Sequence, residues 1–349
     1  MKKKIFKILR FLLFLAIALV LLYFAFRGVD AGELRNSFAN ARYGYVLLYL
    51  LIGFVSILSR SQRWVLMIEP LDYKVSFWNS FYAVNTGYLA NFAFPRLGEI
   101  IRCGSLSKAE KVPVDKLFGT VILERVIDMV ILIVLLFVLV IGRFDYFGNF
   151  IKSNLYDPLV QRLNESIGGT WILLLIILSI PLLIIVLYFM FRSRLSEIRI
   201  VQKIKSFIKG IIDGLKTIYK LKKRWSFIFH SLMIWFCYWL MTYAALFILP
   251  ETSQLKLIDA LFLLVVGTFG WVVPVQGGIG AYHYMVVLGF TLYKIPREPA
   301  LTYATLCHGS QMIMLIVLGA ISFILLFAVR RRRLNHQDKL EKAAENEII

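Results

Sequence analysis

The apolar positions of this chain fall in long runs rather than in alternation. Residues 11–26, 43–59, 117–142, 171–191, 225–250 and 299–329 are each an apolar run with Lys, Arg or polar loops at its flanks. A helix spanning a bilayer needs about 20 mainly apolar residues. These six runs are therefore expected to be spanning helices, the first uncleaved and short, with Arg10 and Arg27 reaching towards the interfaces. Two further runs break internally. Residues 75–95 carry no charge over 21 positions, then lead into Arg96, Gly98, Glu99 and Arg102 directly after Pro95. Residues 260–293 hold no Asp, Glu, Lys or Arg over 34 positions and break at Pro274, ahead of Gly277, Gly278 and Gly280. Proline cannot continue a helix, and glycine loosens the backbone after it.

Charge at the flanks sets the expected topology. The first broken run is basic on both sides, with Arg60, Arg63 and Lys74 before it and Arg96, Arg102, Lys108, Lys111 and Lys116 after it. The positive-inside tendency puts both of its ends in the cytoplasm, so it is expected to be re-entrant. Each half of the second broken run is about 14–15 residues, or roughly 21–23 Å of helix, against a hydrocarbon core of about 30 Å. A hairpin entering from outside suits it better than two full spans. The expected fold is an all-α polytopic membrane protein with six full transmembrane helices and two opposed re-entrant helical hairpins. Residues 1–142 and 166–330 then repeat the order span, span, hairpin, span in opposite orientations. Such inverted repeats with broken helices at the midplane belong to a transporter architecture.

Outside the spans, residues 192–224 hold eleven Lys/Arg against Glu197 and Asp213. Within them, 196–222 reads as a basic amphipathic helix on the cytoplasmic surface, or equally as a solvated linker helix packed on its neighbours. Residues 331–349 form a charged tail. Both termini are expected in the cytoplasm, and the protein in the cell (inner or plasma) membrane.

Composition sharpens this picture. The 349 residues are 59% hydrophobic and 17% charged, where soluble proteins average about 45–50% apolar and about 25% charged. The net charge of +19 sits beside apolar runs, which suits an anionic leaflet and argues against a nucleic-acid partner. Cys103, Cys237 and Cys307 are scattered in or beside apolar runs and read as buried small residues. The four His show no metal spacing. No metal and no cofactor is expected.

The residues able to carry chemistry collect at the two breaks. Arg96, Glu99 and Arg102 recur three apart, and on a helix they share a face. Two guanidinium groups can fork onto a phosphate or carboxylate. Glu124, Arg125 and Asp128 lie inside an apolar run, where ionisable groups are costly unless paired. Arg96 and Arg102 are their expected partners. The same residues would also serve as a salt-bridge cluster with no ligand, and the pattern leaves both readings open. At the second break, the turn with Gln276, Gly277, Gly278 and Gly280 can aim backbone N–H groups at an anion, although such glycines also permit close helix packing. His283 follows by three and can donate or titrate, or act as a satisfied structural donor. No nucleophile elbow or Walker loop appears.

Three segments together resemble a known family: Asn91 to Arg102 with Pro95, Arg96, Gly98 and Glu99; Leu123-Glu124-Arg125 through Asp128; and Pro274 with Gly277-Gly278-Ile279-Gly280. They are similar to motifs of the lysylphosphatidylglycerol synthase transmembrane, flippase-like family, over about residues 8–330. The resemblance implies a membrane protein that translocates an anionic phospholipid or polyprenyl-linked lipid between leaflets. The alternative is a membrane enzyme, or an enzyme subunit, of lipid headgroup modification, with a lipid-modifying transferase as a partner. A stand-alone member without the aminoacyl-transferase domain is not expected to transfer lysine. His283 stands where many members carry an acidic residue, and Val275-Gln276 lengthens the segment between Pro274 and Gly277.

Overall fold

The computed structural model describes residues 2–93, 97–142, 221–273 and 275–348. The run at 171–191 and nearly all of the basic segment 196–222 lie outside them. By its internal contacts the chain divides into residues 1–132 with 218–349, and residues 133–217. Among the described residues every regular element is a helix: α1 (Lys2–Phe26), α2 (Ala31–Ala39), α3 (Tyr43–Ile68), α4 (Phe77–Ala93), α5 (Gly98–Glu110), α6 (Val114–Gly142), α7 (Arg224–Leu246), α8 (Leu257–Val272), α9 (Ala281–Thr291) and α10 (Arg297–Ile348).

Four of these are long and apolar enough to cross a membrane: α3 with its following turn, α6, α7, and α10 as far as Val329. A fifth candidate is the pair α1–α2, whose axes bend by 88° at the break between them. The described residues thus hold four or five candidate spans where the apolar runs suggest six, because the run at 171–191 is not among them and α1 qualifies only together with α2.

The first unit is built around the antiparallel pair α3 and α7. Ser59 Oγ meets His230 Nδ1 at 2.8 Å, a methyl at Gly53 would come within 2.9 Å of Met241 Cε, and the rings of Tyr45 and Phe247 stack at 5.5 Å. The missing side chain at Gly53 is what lets Met241 lie on the α3 backbone. One apolar cluster, with Val46, Tyr49, Leu246, Ala260, Phe290 and Tyr303, sits towards the start of α3. A second, with Trp64, Ile68, Ala83, Leu106, Leu117 and Phe227, sits towards its end.

α4 and α5 form a helical hairpin. At its base, Ser76 N and Asn79 Nδ2 both donate to Glu110 Oε1, at 3.0 and 2.6 Å. Nearer the tip, Gly87 and Gly98 pack backbone to backbone, leaving no room for a side chain at either. Asn91 Oδ1 accepts from Gly98 N at 2.7 Å and so starts α5; Lys111, with φ of 58°, ends it. α8 and α9 form a second hairpin. Phe262 and Tyr293 touch near its base, at 5.8 Å, and a methyl at Gly270 would lie 2.7 Å from Tyr282 Cα nearer the tip.

The two hairpins open towards opposite ends of α3. Ser80 Oγ of the first donates to Ser61 O at 2.9 Å, late in α3. The second follows α7, whose end lies at the start of α3, with Arg42 N donating to Ile248 O at 2.8 Å. Their tips meet. Gly277, in the turn between α8 and α9, lies against the ring of Phe92 on α4. With about 1.5 Å per residue, α4 and α5 are about 26 and 20 Å long and α8 and α9 about 24 and 17 Å, each shorter than a hydrocarbon core of about 30 Å.

Candidate functional site

The first pole of the site is a buried ionic network held by three helices. α3 supplies Arg60 and Arg63, α5 supplies Arg102, and α6 supplies Glu124 and Asp128. Arg63 forks onto Asp128, Nη1 to Oδ1 at 2.7 Å and Nη2 to Oδ2 at 3.2 Å. It also approaches Glu124 Oε1 at 3.3 Å. Arg60 pairs with Glu124 through Nη1, and its Nη2 donates to Asp128 Oδ2 at 3.3 Å and to the Tyr238 hydroxyl at 3.2 Å. Arg102 Nη2 donates to Glu124 Oε2 at 2.6 Å, with its guanidinium 4.5 Å from the centre of the Trp64 ring. That contact is a cation–π interaction on a side chain itself fixed by Trp64 Nε1 donating to Thr120 at 2.9 Å.

Among the described residues three arginines face two carboxylates here, so the described network carries one positive charge in excess. All five side chains are at most 12% exposed. The Nε donors of Arg60, Arg63 and Arg102 make no hydrogen bond. At the edge, Arg125 Nη2 meets Glu99 Oε1 at 3.0 Å, with both side chains partly exposed.

These contacts revise the expected pairing. Arg102 does reach Glu124. Among the described residues Asp128 takes Arg63 and Arg60, because α3 continues past residue 59 and carries both groups into the bundle. Arg96 and Pro95 lie outside the described residues. Glu99 turns to Arg125 at the edge rather than joining Arg102 inside. Arg60, Arg63 and Tyr238 were not singled out by the sequence. A signal was there: Ser56, Ser59, Arg60 and Arg63 recur at three and four along one helical face of an apolar run.

The second pole is uncharged. Gly277, Gly278 and Gly280 all have positive φ, at 57°, 76° and 77°, so the turn needs glycine at each. Gly280 lies directly on the backbone of α1 at Ala18, where a side chain would collide. The Gly277 carbonyl is hydrogen-bonded to His308 Nε2 of α10 at 2.8 Å. The His308 ring is 5.0 Å from His283, 5.3 Å from Tyr282 and 5.2 Å from Trp271. Gln276 is 93% buried, and neither its amide oxygen nor its amide nitrogen has a partner. His283 Nδ1 is likewise buried and unpartnered. Pro274 lies outside the described residues. Among the described residues no group of three or more His, Cys, Asp or Glu has a metal-binding arrangement.

The profile of the family described as lysylphosphatidylglycerol synthase TM region matches residues 11–319. The chain belongs to this family. A curated relative, "UPF0104 membrane protein MJ1595" of Methanocaldococcus jannaschii, is 26% identical over 334 residues, covering 90% of this chain and 94% of that protein. No solved structure matches. Family membership and the apolar helices together make this family member a multi-pass membrane protein.

Proposed function

We propose that this family member carries the headgroup of an anionic lipid, a phospholipid or a polyprenyl-linked lipid, from one leaflet to the other. The observation that carries the reading is the excess of buried arginine: Arg60, Arg63 and Arg102 against Glu124 and Asp128, with three Nε donors unused. A buried uncompensated charge is costly in a bilayer. A lipid phosphate entering the network balances that charge and accepts charge-assisted hydrogen bonds, each about 1.5–3 kcal/mol. The acyl chains stay in the bilayer, so only the headgroup needs a path.

The two opposed hairpins support this reading. Taken as re-entrant elements of an inverted repeat, with both termini cytoplasmic in the cell membrane, they bring one polar break from each side to a common centre. Binding at the point where repeats meet, with alternate access from either side, is how many secondary transporters work. The rival, a headgroup-modifying enzyme, needs mainly the cytoplasmic segment from Arg96 to Arg102 and leaves the second hairpin without a task.

The test is scrambling of fluorescent phosphatidylglycerol in proteoliposomes, read by a reductant that bleaches only the outer leaflet. The wild-type protein should bring the inner-leaflet pool within reach of the reductant. Arg96→Lys keeps charge but loses the fork and should slow movement; Arg96→Gln should nearly abolish it. Both are to be checked for folding. Vesicles with wild-type protein that bleach no further than empty ones refute the reading. Folded variants that both match the wild-type rate show that Arg96 takes no part in the movement.

A further inference from the structure

The turn after α8 holds a polar side chain that the fold itself does not use. Gln276 is 93% buried, yet both ends of its amide lack a partner, and His283 Nδ1 is in the same condition. Burying such groups unmatched costs about 1–3 kcal/mol each. They lie seven residues apart in one short segment, made of the turn and the first turn of α9. His283 belongs to an aromatic cluster that adjoins the turn. Trp271, Tyr282, His283 and His308 form a continuous set of ring contacts between 5.0 and 6.2 Å. Trp271 is 39% exposed. Residues 260–293 contain no Asp, Glu, Lys or Arg.

A buried amide that can both donate and accept, an unpartnered ring nitrogen seven residues on and a partly exposed indole suit hydroxyl groups on an apolar frame. They do not suit a second charge, since nothing in residues 260–293 would balance one. We propose that Gln276 and His283 form a subsite for an uncharged, hydroxyl-bearing headgroup, a polyol or a sugar, with Trp271 and Tyr282 as its apolar wall. The inference rests on the lipid-translocation reading and narrows its substrate class. Phe92, one helical turn after Tyr88 on α4, touches Gly277, so the first hairpin's tip adjoins this subsite. A cationic aminoacyl headgroup is a poor occupant, and phosphatidic acid, with no group beyond its phosphate, leaves the subsite empty.

The test is lipid competition on the purified full chain, read by native mass spectrometry. The probes are phosphatidylglycerol, phosphatidylinositol, lysylphosphatidylglycerol and phosphatidic acid at equal concentrations. The wild-type protein should favour phosphatidylglycerol and phosphatidylinositol over phosphatidic acid by about five- to tenfold, the worth of one or two hydrogen bonds. Gln276→Leu should bring that ratio close to one while phosphatidic acid still binds. Gln276→Glu, nearly isosteric, supplies the missing counter-charge and should turn the preference towards lysylphosphatidylglycerol. This second variant keeps the proposal testable if the leucine form does not fold. A wild-type ratio near one, or a ratio that neither folded variant moves, overturns the subsite and leaves lipid translocation standing. Wild-type protein that binds none of the four lipids overturns both.

Discussion

The two breaks in this chain place polar chemistry among apolar helices in opposite ways. At the first, three arginines and two carboxylates from α3, α5 and α6 pair with one another, leaving one positive charge and three Nε donors over. At the second, the turn is held by glycine geometry and one bond from His308 to Gly277, and whole side-chain groups remain open. The difference separates two roles. Charges cannot be left alone in a bilayer, so an ionic pole must also be part of the scaffold. A neutral amide costs less to leave unmatched, so the second pole can keep its groups for a ligand. Substitutions at the ionic pole should therefore damage the fold first, and those at the neutral pole should damage selectivity first.

The largest effect is expected at Glu124. It faces Arg60, Arg63 and Arg102. Glu124→Gln leaves three arginines to Asp128 alone, and breaking a buried ion pair typically costs about 3–5 kcal/mol. Thermal unfolding in detergent should show a large loss. Gln276→Leu, by contrast, removes unmatched polar atoms and should leave the unfolding temperature unchanged or raise it. Equal losses in the two variants would break the distinction between the poles.

Arg63→Lys sharpens it. Lysine keeps the charge but cannot make the paired bonds to both oxygens of Asp128 at 2.7 and 3.2 Å. Loss of one charge-assisted bond predicts about 1.5–3 kcal/mol. A stability equal to wild type would mean that charge balance alone, and not geometry, holds the first pole. At the second pole, the matching test is Gly280→Ala. Its φ of 77° is costly for alanine, by about 1–3 kcal/mol, and the methyl would meet the α1 backbone at Ala18. Here the expected loss comes from backbone shape with no charge involved. The loss should therefore be independent of salt and pH. A loss that varies with either would show an ionic contribution at this pole.

How much of this was legible in the sequence follows from the same physics. The broken runs were visible because Pro95 and Pro274 interrupt charge-free stretches, and α4–α5 and α8–α9 are the hairpins they mark. Glu124 and Asp128 stood out because an apolar run gives a carboxylate no other excuse. Arg60 and Arg63 look in the sequence like the flank of a span, since basic residues after an apolar run usually mark its end. Their place inside depends on α3 continuing to Ile68, which depends in turn on carboxylates arriving from α6, far along the chain. The sequence showed His308 but not its use, since its partner is a backbone carbonyl in a turn 31 residues earlier. Long-range pairing of this kind leaves no local pattern.

The smallest effect is expected at the edge of the ionic pole, and it tests whether burial is what makes an ion pair part of the scaffold. Glu99 and Arg125 form a pair at 3.0 Å, but the arginine side chain is 49% exposed and the glutamate 24%. Solvent screens such pairs, and their measured worth is about 0–1 kcal/mol. Arg125→Gln should then shift the unfolding temperature little, far less than Glu124→Gln one residue away in sequence. Glu99 Oε2 is buried and unpartnered, so removing Arg125 leaves that carboxylate with less support at one oxygen. The added cost should appear as a small loss that grows at low salt, where the lost attraction was strongest. If Arg125→Gln unfolds the protein as readily as Glu124→Gln, the edge pair belongs to the buried network. The ionic pole would then extend across the α5–α6 surface, and its boundary with solvent would lie beyond Arg125.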